Sequence, residues 1–303
     1  MLLTRPDGPH TANLEKLTRR GFGTALFVAG YAAAIRPVNA AAITTDDKGL
    51  IIEEVKIKSF GDFNLPAYVA RPAGNKKKRA AIVVVNEVFG IHDYIKDVCR
   101  RFAKLGYVAI APDYFDRAGD PATLTMEQIK DVLAIVGTAK YAQVMGDTSA
   151  AGAYLKSLPY VNGDKLGITG FCWGGGVVWS ACEASPLFKA GVAWYGKLSK
   201  PGPDSPLPAE DRPYPVDAVS HLYAPVLGLY AENDQGIPLA EVEAMRKALS
   251  DPKSSASAKK SKIEVFPGAE HGFHADYRPS YNEAAAKSGW SQALAWFKAN
   301  GVV

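Results

Sequence analysis

Short β-like runs that alternate with helical stretches constrain this chain more than any other feature of its sequence. Residues 80–86 form a continuous β-branched run, as expected of a central strand that is buried on both faces. Residues 93–105 then carry helical periodicity, and the strand signal recurs further along the chain. Such alternation predicts an α/β fold with a mostly parallel central sheet and helices on both faces. The recurring runs are residues 107–111, 166–169, 190–194, 226–230 and 263–266.

Three segments depart from this alternation. Two β-patterned runs at residues 51–57 and 65–70 predict an opening antiparallel hairpin. Residues 200–215 hold six prolines and are predicted to be a loop, because strands of the same sheet continue beyond them. Residues 251–262 are rich in serine and lysine, which predicts a mobile surface connection. The sequence shows no boundary of a second domain, and one hydrophobic core is sufficient for a chain of 303 residues.

Residues 1–40 have the layout of an export signal. Arg19 and Arg20 precede an apolar run that is too short to span a bilayer, and a small-residue cleavage site follows at residues 38–40. The arginine pair resembles a twin-arginine signal, which implies export in the folded state, to the periplasm or beyond. A frayed amphipathic terminus with a chance arginine pair is the alternative. We therefore predict a cleaved signal over residues 1–40 and one domain over residues 41–303.

Charge and cysteine content exclude several classes of function. The net charge of +4, from 35 basic and 31 acidic residues, is too small to indicate a nucleic acid or an anionic membrane surface as partner. The three cysteines form no CxxC pair and have no histidine at metal-ligand spacing, so neither a disulfide framework nor a zinc site is expected. Cys99 and Cys182 lie on helical stretches and are predicted to be packed core thiols. We expect no metal or other cofactor.

The third cysteine stands in a motif that carries chemistry. Gly170-Phe171-Cys172-Trp173-Gly174 fits G-x-S-x-G with cysteine in place of serine, directly after a strand signal and before an apolar helix. The glycines permit the tight turn of a nucleophile elbow. The helix N-terminus favours a thiolate, and the amide of Trp173 is positioned to donate to an oxyanion. We predict that Cys172 is a nucleophile exposed at the elbow tip, with a buried structural cysteine as the alternative.

A proton relay for Cys172 is available in the expected chain order, acid first and histidine second. Asp234 and His271 follow two later strands, whose carboxyl ends lie at the same edge of a parallel sheet as the elbow. Position and order single out His271 among the five histidines, although a solvated loop residue remains the alternative. Glu232 rivals Asp234 as the acid. Asp234 is preferred because it lies further out along the loop.

With these residues in view, the sequence resembles the dienelactone hydrolase family of α/β-hydrolases over about residues 50–300. The resemblance implies an α/β-hydrolase fold and hydrolysis of small esters or lactones through an acyl-thioester on Cys172. It also implies that Glu87 touches the thiol in the resting enzyme, and that the amides of Val88 and Trp173 form an oxyanion hole. The matching stretches are Asn86-Glu87-Val88-Phe89-Gly90, Ala111-Pro112-Asp113 with Arg117, the Cys172 motif, Tyr195-Gly196, Asp234 and His271-Gly272-Phe273.

Glu87 also has a physical argument of its own. A carboxylate at the end of a buried strand, in a partly dry cleft beside a thiol, has a raised proton affinity. Glu87 is therefore predicted to hold or accept the thiol proton until substrate displaces it. The alternative role is an acid that caps the following helix.

Four residues of the matching stretches are predicted to contact the substrate: Arg117, Tyr195, Phe89 and Phe273. Arg117 follows the strand signal at 107–111 and would offer paired donors to a substrate carboxylate. The alternative is that Arg117 is a surface arginine paired with Asp116 or Asp120. The resemblance implies a second arginine shortly after the histidine, whereas the next arginine here is Arg278, seven residues beyond His271.

The sequence thus predicts a hydrolase of small-molecule esters or lactones, with no nucleic-acid partner and no membrane attachment after signal cleavage. It leaves the oligomeric state open, with a monomer favoured. One alternative is a non-catalytic binding protein that keeps an α/β-hydrolase shell, which loss of a triad residue would favour. Another is a thiol redox protein, because Cys172 would be a reactive thiol in an oxidising compartment. No resolving cysteine lies beside Cys172 in the sequence.

Overall fold

The computed structural model describes residues 42–74, 78–124, 128–201 and 212–303. The predicted signal at residues 1–40 lies outside these ranges, as does most of the proline-rich loop. Within the described ranges, no helix combines the length and the apolar character that a membrane span needs.

The strands of the described residues form a single eight-stranded sheet. They are β1 (Leu50–Lys58), β2 (Asn64–Pro72), β3 (Arg79–Val85), β4 (Val108–Pro112), β5 (Val161–Phe171), β6 (Ala190–Trp194), β7 (Val226–Ala231) and β8 (Lys262–Phe266). The order across the sheet is β1-β2-β4-β3-β5-β6-β7-β8. β2 is antiparallel to both β1 and β4, and all other neighbours are parallel. The predicted α/β fold and its opening hairpin are confirmed.

Helices cover both faces of this sheet. They are α1 (Asp93–Lys104), α2 (Ile129–Thr138), α3 (Tyr141–Ser157), α4 (Trp173–Ala184), α5 (Pro215–Ala218), α6 (Leu239–Ser250), α7 (Ala256–Lys260) and α8 (Glu283–Ala299). Short 3-10 helices span Phe60–Asp62, Pro121–Thr123 and Val219–His221.

Two glycines of the central strands establish which helices lie on opposite faces. A Cβ at Gly167 would come 2.7 Å from Phe297 of α8, whereas one at Gly191 would come 2.7 Å from Val178 of α4. Gly191 pairs with Ile168, the residue after Gly167. Because successive residues of a strand face opposite sides, α8 and α4 lie on opposite faces of the sheet.

The thiols predicted to be core residues are buried. Cys99 of α1 and Cys182 of α4 are both fully inaccessible to solvent. Burial raises the pKa of each thiol well above its usual range, because the apolar surroundings disfavour the thiolate. Neither is suited to nucleophilic chemistry.

The prediction for residues 251–262 was wrong in one respect. This segment contains the short helix α7, and it ends where β8 begins, at Lys262. The side chain of Ser255 accepts a hydrogen bond from the N–H of Ala258 and so caps α7, and Ala258 is fully buried. The serines that suggested a mobile connection therefore order it.

Five of the six parallel strand ends at one edge of the sheet lead into candidate site residues. The carboxyl ends of β3, β5, β6, β7 and β8 lie side by side because these strands are parallel neighbours. In α/β folds this edge is where functional side chains collect. The residues that follow the five ends include Glu87, Cys172, Tyr195, Asp234 and His271.

Candidate active site

Cys172 lies on a strained turn between β5 and α4. Its backbone has φ 55° and ψ −116°, a conformation that residues other than glycine rarely adopt. The N–H of Cys172 donates to the carbonyl of Trp194 at 3.0 Å, and its own carbonyl accepts the N–H of Gly175 at 3.0 Å. A Cβ at Gly174 would come within 2.5 Å of the carbonyl oxygen of Asn86. The glycine is therefore required for the elbow to approach the end of β3.

The exposure expected for Cys172 is not observed. Only 3% of the residue is accessible to solvent. The elbow points its side chain towards His271 and Arg278, both of which interact electrostatically with the sulfur. A substrate therefore reaches the thiol in an enclosed site rather than at an open tip.

Asp234 and His271 are in direct contact. Oδ2 of Asp234 lies 2.7 Å from Nδ1 of His271. The other oxygen, Oδ1, accepts the backbone N–H groups of Gly236 at 2.8 Å and Ile237 at 3.1 Å. The carboxylate is thereby fixed in orientation, and it holds Nδ1 so that Nε2 of His271 is left to face the thiol.

Glu232, the rival acid, has a different partner. Its Oε2 accepts the N–H of Gly268 at 2.8 Å, in the turn that follows β8. Glu232 therefore links the loop after β7 to the loop that carries His271, and Asp234 alone of the two contacts the imidazole.

The imidazole of His271 strongly favours its protonated form. Burial by itself disfavours the imidazolium, but the Asp234 carboxylate and the Cys172 sulfur outweigh it and raise the pKa of His271 to about 10. The Cys172 side chain also hydrogen-bonds to the ring. The ring is therefore a charged donor beside the Cys172 sulfur.

Glu87 is fully buried and held by three partners. Arg278 Nη2 lies 2.7 Å from Oε1, the hydroxyl of Tyr277 donates to Oε2 at 2.6 Å, and His92 Nε2 lies 3.3 Å from Oε2. Burial alone would raise its pKa, but the charge of Arg278 and the contacts from His92 and Tyr277 lower the pKa of Glu87 to about 2. The predicted raised proton affinity is wrong, because the sequence did not reveal these partners. Glu87 is not suited to hold the thiol proton.

Arg117 is bound to residues outside this group. Its guanidinium pairs with the buried carboxylate of Asp147 in α3 at 2.7 and 2.9 Å. It also donates to the carbonyl of Phe60 at 3.0 Å and lies 4.1 Å from the ring centroid of Phe63. The paired donors that the prediction assigns to a substrate carboxylate are thus occupied by Asp147. The alternative of a paired arginine is closer, with Asp147 as the partner in place of Asp116 or Asp120.

The three aromatic candidates have different surroundings. The ring of Tyr195 lies 5.1 Å from that of His271, and its backbone has φ 38° directly after β6. The ring centroid of Phe89 lies 5.5 Å from Cζ of the Arg278 guanidinium. Phe273 packs against Tyr195, and both rings are fully buried, so neither has an exposed surface for the substrate contact predicted for it.

The two amides of the expected oxyanion hole lie on neighbouring elements. Val88 follows the end of β3, and Trp173 begins α4 after β5, the strand that pairs with β3. Within the described residues, neither backbone N–H donates to another group. Two unengaged donors beside the Cys172 turn suit a developing negative charge.

Several residues of the site were missed from the sequence. His92, Tyr277 and Arg278 surround Glu87, and Tyr94 joins them through ring contacts with His92 and Tyr277. Nothing in the sequence around His92 signals a contact with a carboxylate. For Arg278 a signal existed, since it is the first arginine after His271, where the resemblance implies a second arginine.

His274 is also close to the site but packs as a core residue. Its Nδ1 lies 2.6 Å from the hydroxyl of Tyr94, and its ring lies 4.4 Å from that of Trp194. Burial, assisted by Arg101, lowers the pKa of His274 to about 3, so the ring is neutral.

Comparison with known proteins gives consistent similarities. Residues 65–301 match the sequence model described as "Dienelactone hydrolase family". The chain is 46% identical over 288 residues to a protein of Methylorubrum extorquens named "Putative carboxymethylenebutenolidase", with 94% of each chain covered. An Escherichia coli protein with the same name is 41% identical over 275 residues, covering 90% of this chain and 96% of that protein.

A solved structure agrees with the sequence comparisons. The crystal structure of a "Putative Dienelactone Hydrolase" from Klebsiella pneumoniae superposes with a TM-score of 0.74 at 41% sequence identity. The superposition covers 82% of this chain and 98% of that chain.

Proposed function

The chain belongs to the dienelactone hydrolase family of α/β-hydrolases, and on this premise we propose that it cleaves small esters or lactones with Cys172 as nucleophile. It is a carboxymethylenebutenolidase-like hydrolase. In the proposal, His271 is the general base and acid. Asp234 orients the imidazole and stabilises its protonated form.

The chemical steps follow from these roles. The Cys172 thiolate attacks the acyl carbon, a C–S bond forms, and the carbonyl oxygen becomes an oxyanion. Collapse of this intermediate breaks the C–O bond, and the imidazolium of His271 protonates the leaving alkoxide. His271 then removes a proton from water, the hydroxide attacks the thioester, and the thiolate leaves. A carboxylic acid and an alcohol are released, or a hydroxy acid when the substrate is a lactone.

The observation that carries the proposal is the 2.7 Å contact between Asp234 and His271 on the thiol side of the elbow. It supplies the tautomer that the relay needs and, with the sulfur, raises the pKa of His271 to about 10. The amides of Val88 and Trp173 would donate to the oxyanion, where one such donor is typically worth about 10²- to 10³-fold in rate.

Glu87 has a positioning role in this proposal. Its pKa of about 2 means that it stays ionised and fixes Arg278, Tyr277 and His92 beside the nucleophile. The thiol proton goes to His271 instead.

A thiol redox function has less support. Cys182 lies ten residues beyond Cys172 along α4, which is about 15 Å of helix and too far for a disulfide. Cys99 and Cys182 are both fully buried. The resolving thiol that such a function needs is missing from the described residues around Cys172.

The experiment that tests the proposed function is a substrate screen with the protein that begins at residue 41. Small aryl esters, five- and six-membered lactones and thioesters are offered at about pH 8, and product is measured against spontaneous hydrolysis. We expect turnover of activated esters, because a thiolate nucleophile acylates most readily when the leaving group is good. If the protein shows a cooperative thermal transition, and is therefore folded, but hydrolyses none of these substrates, the proposal is refuted.

We further propose that the protein is exported by the twin-arginine route, on the basis of residues 1–40. Replacement of Arg19 and Arg20 together by lysine is expected to leave the precursor uncleaved inside the cell, because the receptor recognises the guanidinium pair. Cell fractionation with mass determination of the N-terminus measures this. Unchanged export of the double-lysine variant would show that the pair is incidental.

A further inference from the structure

The two amides of the proposed oxyanion hole lie in different kinds of backbone. Trp173 is the first residue of α4, so the helix that follows sets the direction of its N–H. Val88 lies in a tight turn, outside any helix or strand, between Glu87 and Gly90. Because a peptide group can rotate about the two dihedrals that flank it, a donor in a turn needs a further contact to keep its direction.

The carbonyl oxygen of Glu87 provides that contact, because it accepts two hydrogen bonds. Nδ2 of Asn86 donates to it at 2.7 Å, and the backbone N–H of Gly90 donates to it across the turn at 3.2 Å. Gly90 has φ 70°, the left-handed conformation that lets the chain close this turn. The Asn86 side chain makes the shorter contact and is therefore the tighter constraint on the oxygen.

The oxygen of Glu87 and the N–H of Val88 belong to the same peptide group. This group is planar, and its C=O and N–H point in opposite directions when the bond is trans. A side chain that holds the oxygen on one side of the turn therefore fixes the direction of the Val88 N–H on the other side. Asn86 can thus act on the oxyanion donor without touching the substrate.

Asn86 has a fixed base from which to act. Gly174 of the elbow lies so close to the carbonyl oxygen of Asn86 that a Cβ there would come within 2.5 Å of it. The elbow carries Cys172 and Trp173, and Asn86 holds the turn that carries Val88. One backbone contact therefore sets the position of both donors relative to the nucleophile.

The other end of the Asn86 amide does not contribute to stability. Asn86 is fully buried directly after the apolar residues 80–85, and among the described residues its Oδ1 accepts no hydrogen bond. A buried acceptor without a partner is unfavourable. A leucine would have a similar shape without this oxygen, and the Glu87 carbonyl would keep the N–H of Gly90. The direction of the Val88 N–H explains the amide better than the stability of the fold does.

We propose that Asn86 is a positioning residue of the oxyanion hole, which aims the Val88 N–H by binding the carbonyl of the same peptide group. This inference rests on the proposed function, because the oxyanion forms during the proposed hydrolysis. Loss of the Asn86 donor should weaken the stabilisation of the transition state more than the binding of the substrate.

Asn86→Leu tests the inference with two matched substrates. 4-Nitrophenyl acetate and its thionoester, O-(4-nitrophenyl) thioacetate, have the same leaving group, but attack on the thionoester places the negative charge on sulfur. Sulfur is a weak hydrogen-bond acceptor, so the thionoester depends less on the amide donors. We expect kcat/KM to fall by about ten- to a hundredfold for the ester and by no more than about threefold for the thionoester, since complete loss of one donor typically costs about 10²- to 10³-fold.

The stability of this variant separates positioning from support of the fold. Leucine removes a buried oxygen that has no partner and leaves the hydrogen bond from Gly90 in place, so the thermal midpoint should stay within a few degrees of wild type or rise. If Asn86 only supported the fold, its loss would lower the midpoint and reduce the two rates equally. Circular dichroism measures the midpoint.

Asn300→Leu is the matched control. Nδ2 of Asn300 also donates to a backbone carbonyl, that of Trp296 at 2.8 Å, and its Oδ1 also has no partner among the described residues. The carbonyl of Val302, two residues further on, accepts from Tyr107, which directly precedes β4, so Asn300 lies towards the opposite edge of the sheet. This variant should leave the ratio of the ester and thionoester rates unchanged within about twofold.

Wild type provides a measurement that needs no variant. Cys172 adds to a small aryl trifluoromethyl ketone, the C–S bond forms, and the electron pair of the carbonyl moves to the oxygen, which takes the oxyanion position. Hydrogen bonds in a chain polarise one another, so an oxyanion on the Val88 N–H should strengthen the bond from Asn86 to the Glu87 carbonyl. In nitrogen-15-labelled protein, the side-chain amide proton of Asn86 should move downfield when the adduct forms, whereas that of Asn300 should not.

The outcomes separate the inference from the function beneath it. Equal losses for ester and thionoester in folded Asn86→Leu, or an equal change of their ratio in Asn300→Leu, would overturn the inference while hydrolysis stands. If Asn86→Leu does not fold, the wild-type adduct decides: a downfield shift of the Asn86 resonance supports the inference, and an unmoved resonance overturns it. If wild type hydrolyses neither 4-nitrophenyl acetate nor any ester of the wider screen, the proposed function fails and the inference fails with it.

Discussion

Replacement of Cys172 by alanine is expected to lower kcat/KM for ester hydrolysis by at least about 10³-fold, to the level of spontaneous reaction or slightly above it. The thiolate is the atom that forms the covalent intermediate, and no neighbouring group can take its place. His271 and the two amides would remain, so a small residual rate from binding and oxyanion stabilisation is compatible with the mechanism.

The alanine variant should keep the fold. Alanine has the same Cβ as cysteine, so the backbone at φ 55° is no more strained than before. The hydrogen bonds that hold the elbow are made by backbone atoms of residue 172 and do not need the sulfur. We expect the thermal midpoint to change by no more than a few degrees, which calorimetry or circular dichroism measures.

Cys182→Ala is the matched control, since it makes the same substitution ten residues further on, in α4. It removes a sulfur from the core beside Gly191 and should cost some stability while leaving kcat/KM within about threefold. Iodoacetamide should label wild type at Cys172 first, because the other two thiols are fully buried and have raised pKa values. Full activity in Cys172→Ala, or equal losses in both variants, would remove Cys172 from the chemistry.

The elbow was predictable because all of its determinants are contiguous. A strand signal, a small-residue turn and an apolar helix follow one another between residues 166 and 184, and local sequence specifies such a unit. The edge that carries Asp234 and His271 was predictable for a second reason. Parallel strands place their carboxyl ends together, so chain order was enough to bring distant loops to one site.

The partners of charged side chains were not predictable in this way. Glu87 and Arg278 lie 191 positions apart, and Arg117 and Asp147 lie 30 apart on separate elements. No periodicity records which of several carboxylates a guanidinium will meet, because that depends on the path of loops such as residues 272–282. The proton affinity of Glu87 was misjudged for this reason. Burial was anticipated correctly, but the compensating charge was not.

Replacement of Asp234 by asparagine is expected to lower kcat/KM by about 10³- to 10⁴-fold without loss of the fold. Asparagine can keep the acceptor that binds the N–H groups of Gly236 and Ile237. Its amide nitrogen then replaces Oδ2 opposite Nδ1 of His271, and two donors cannot face each other. The imidazole must place its proton on Nε2, where it can no longer accept the proton of the Cys172 thiol.

A pH profile distinguishes this mechanism from simple structural damage. Asp234 is the chief group that raises the pKa of His271 to about 10 against the effect of burial, so its loss lowers that pKa. The imidazolium then loses its proton at lower pH. The alkaline limb of the kcat/KM profile for the residual activity should therefore move to lower pH than in wild type. Glu232→Gln serves as the control, because glutamine can still accept the N–H of Gly268 and should retain activity within about threefold. If Glu232→Gln were the more damaging change, or the alkaline limb of Asp234→Asn stayed where it is in wild type, the assignment of the acid would have to pass to Glu232.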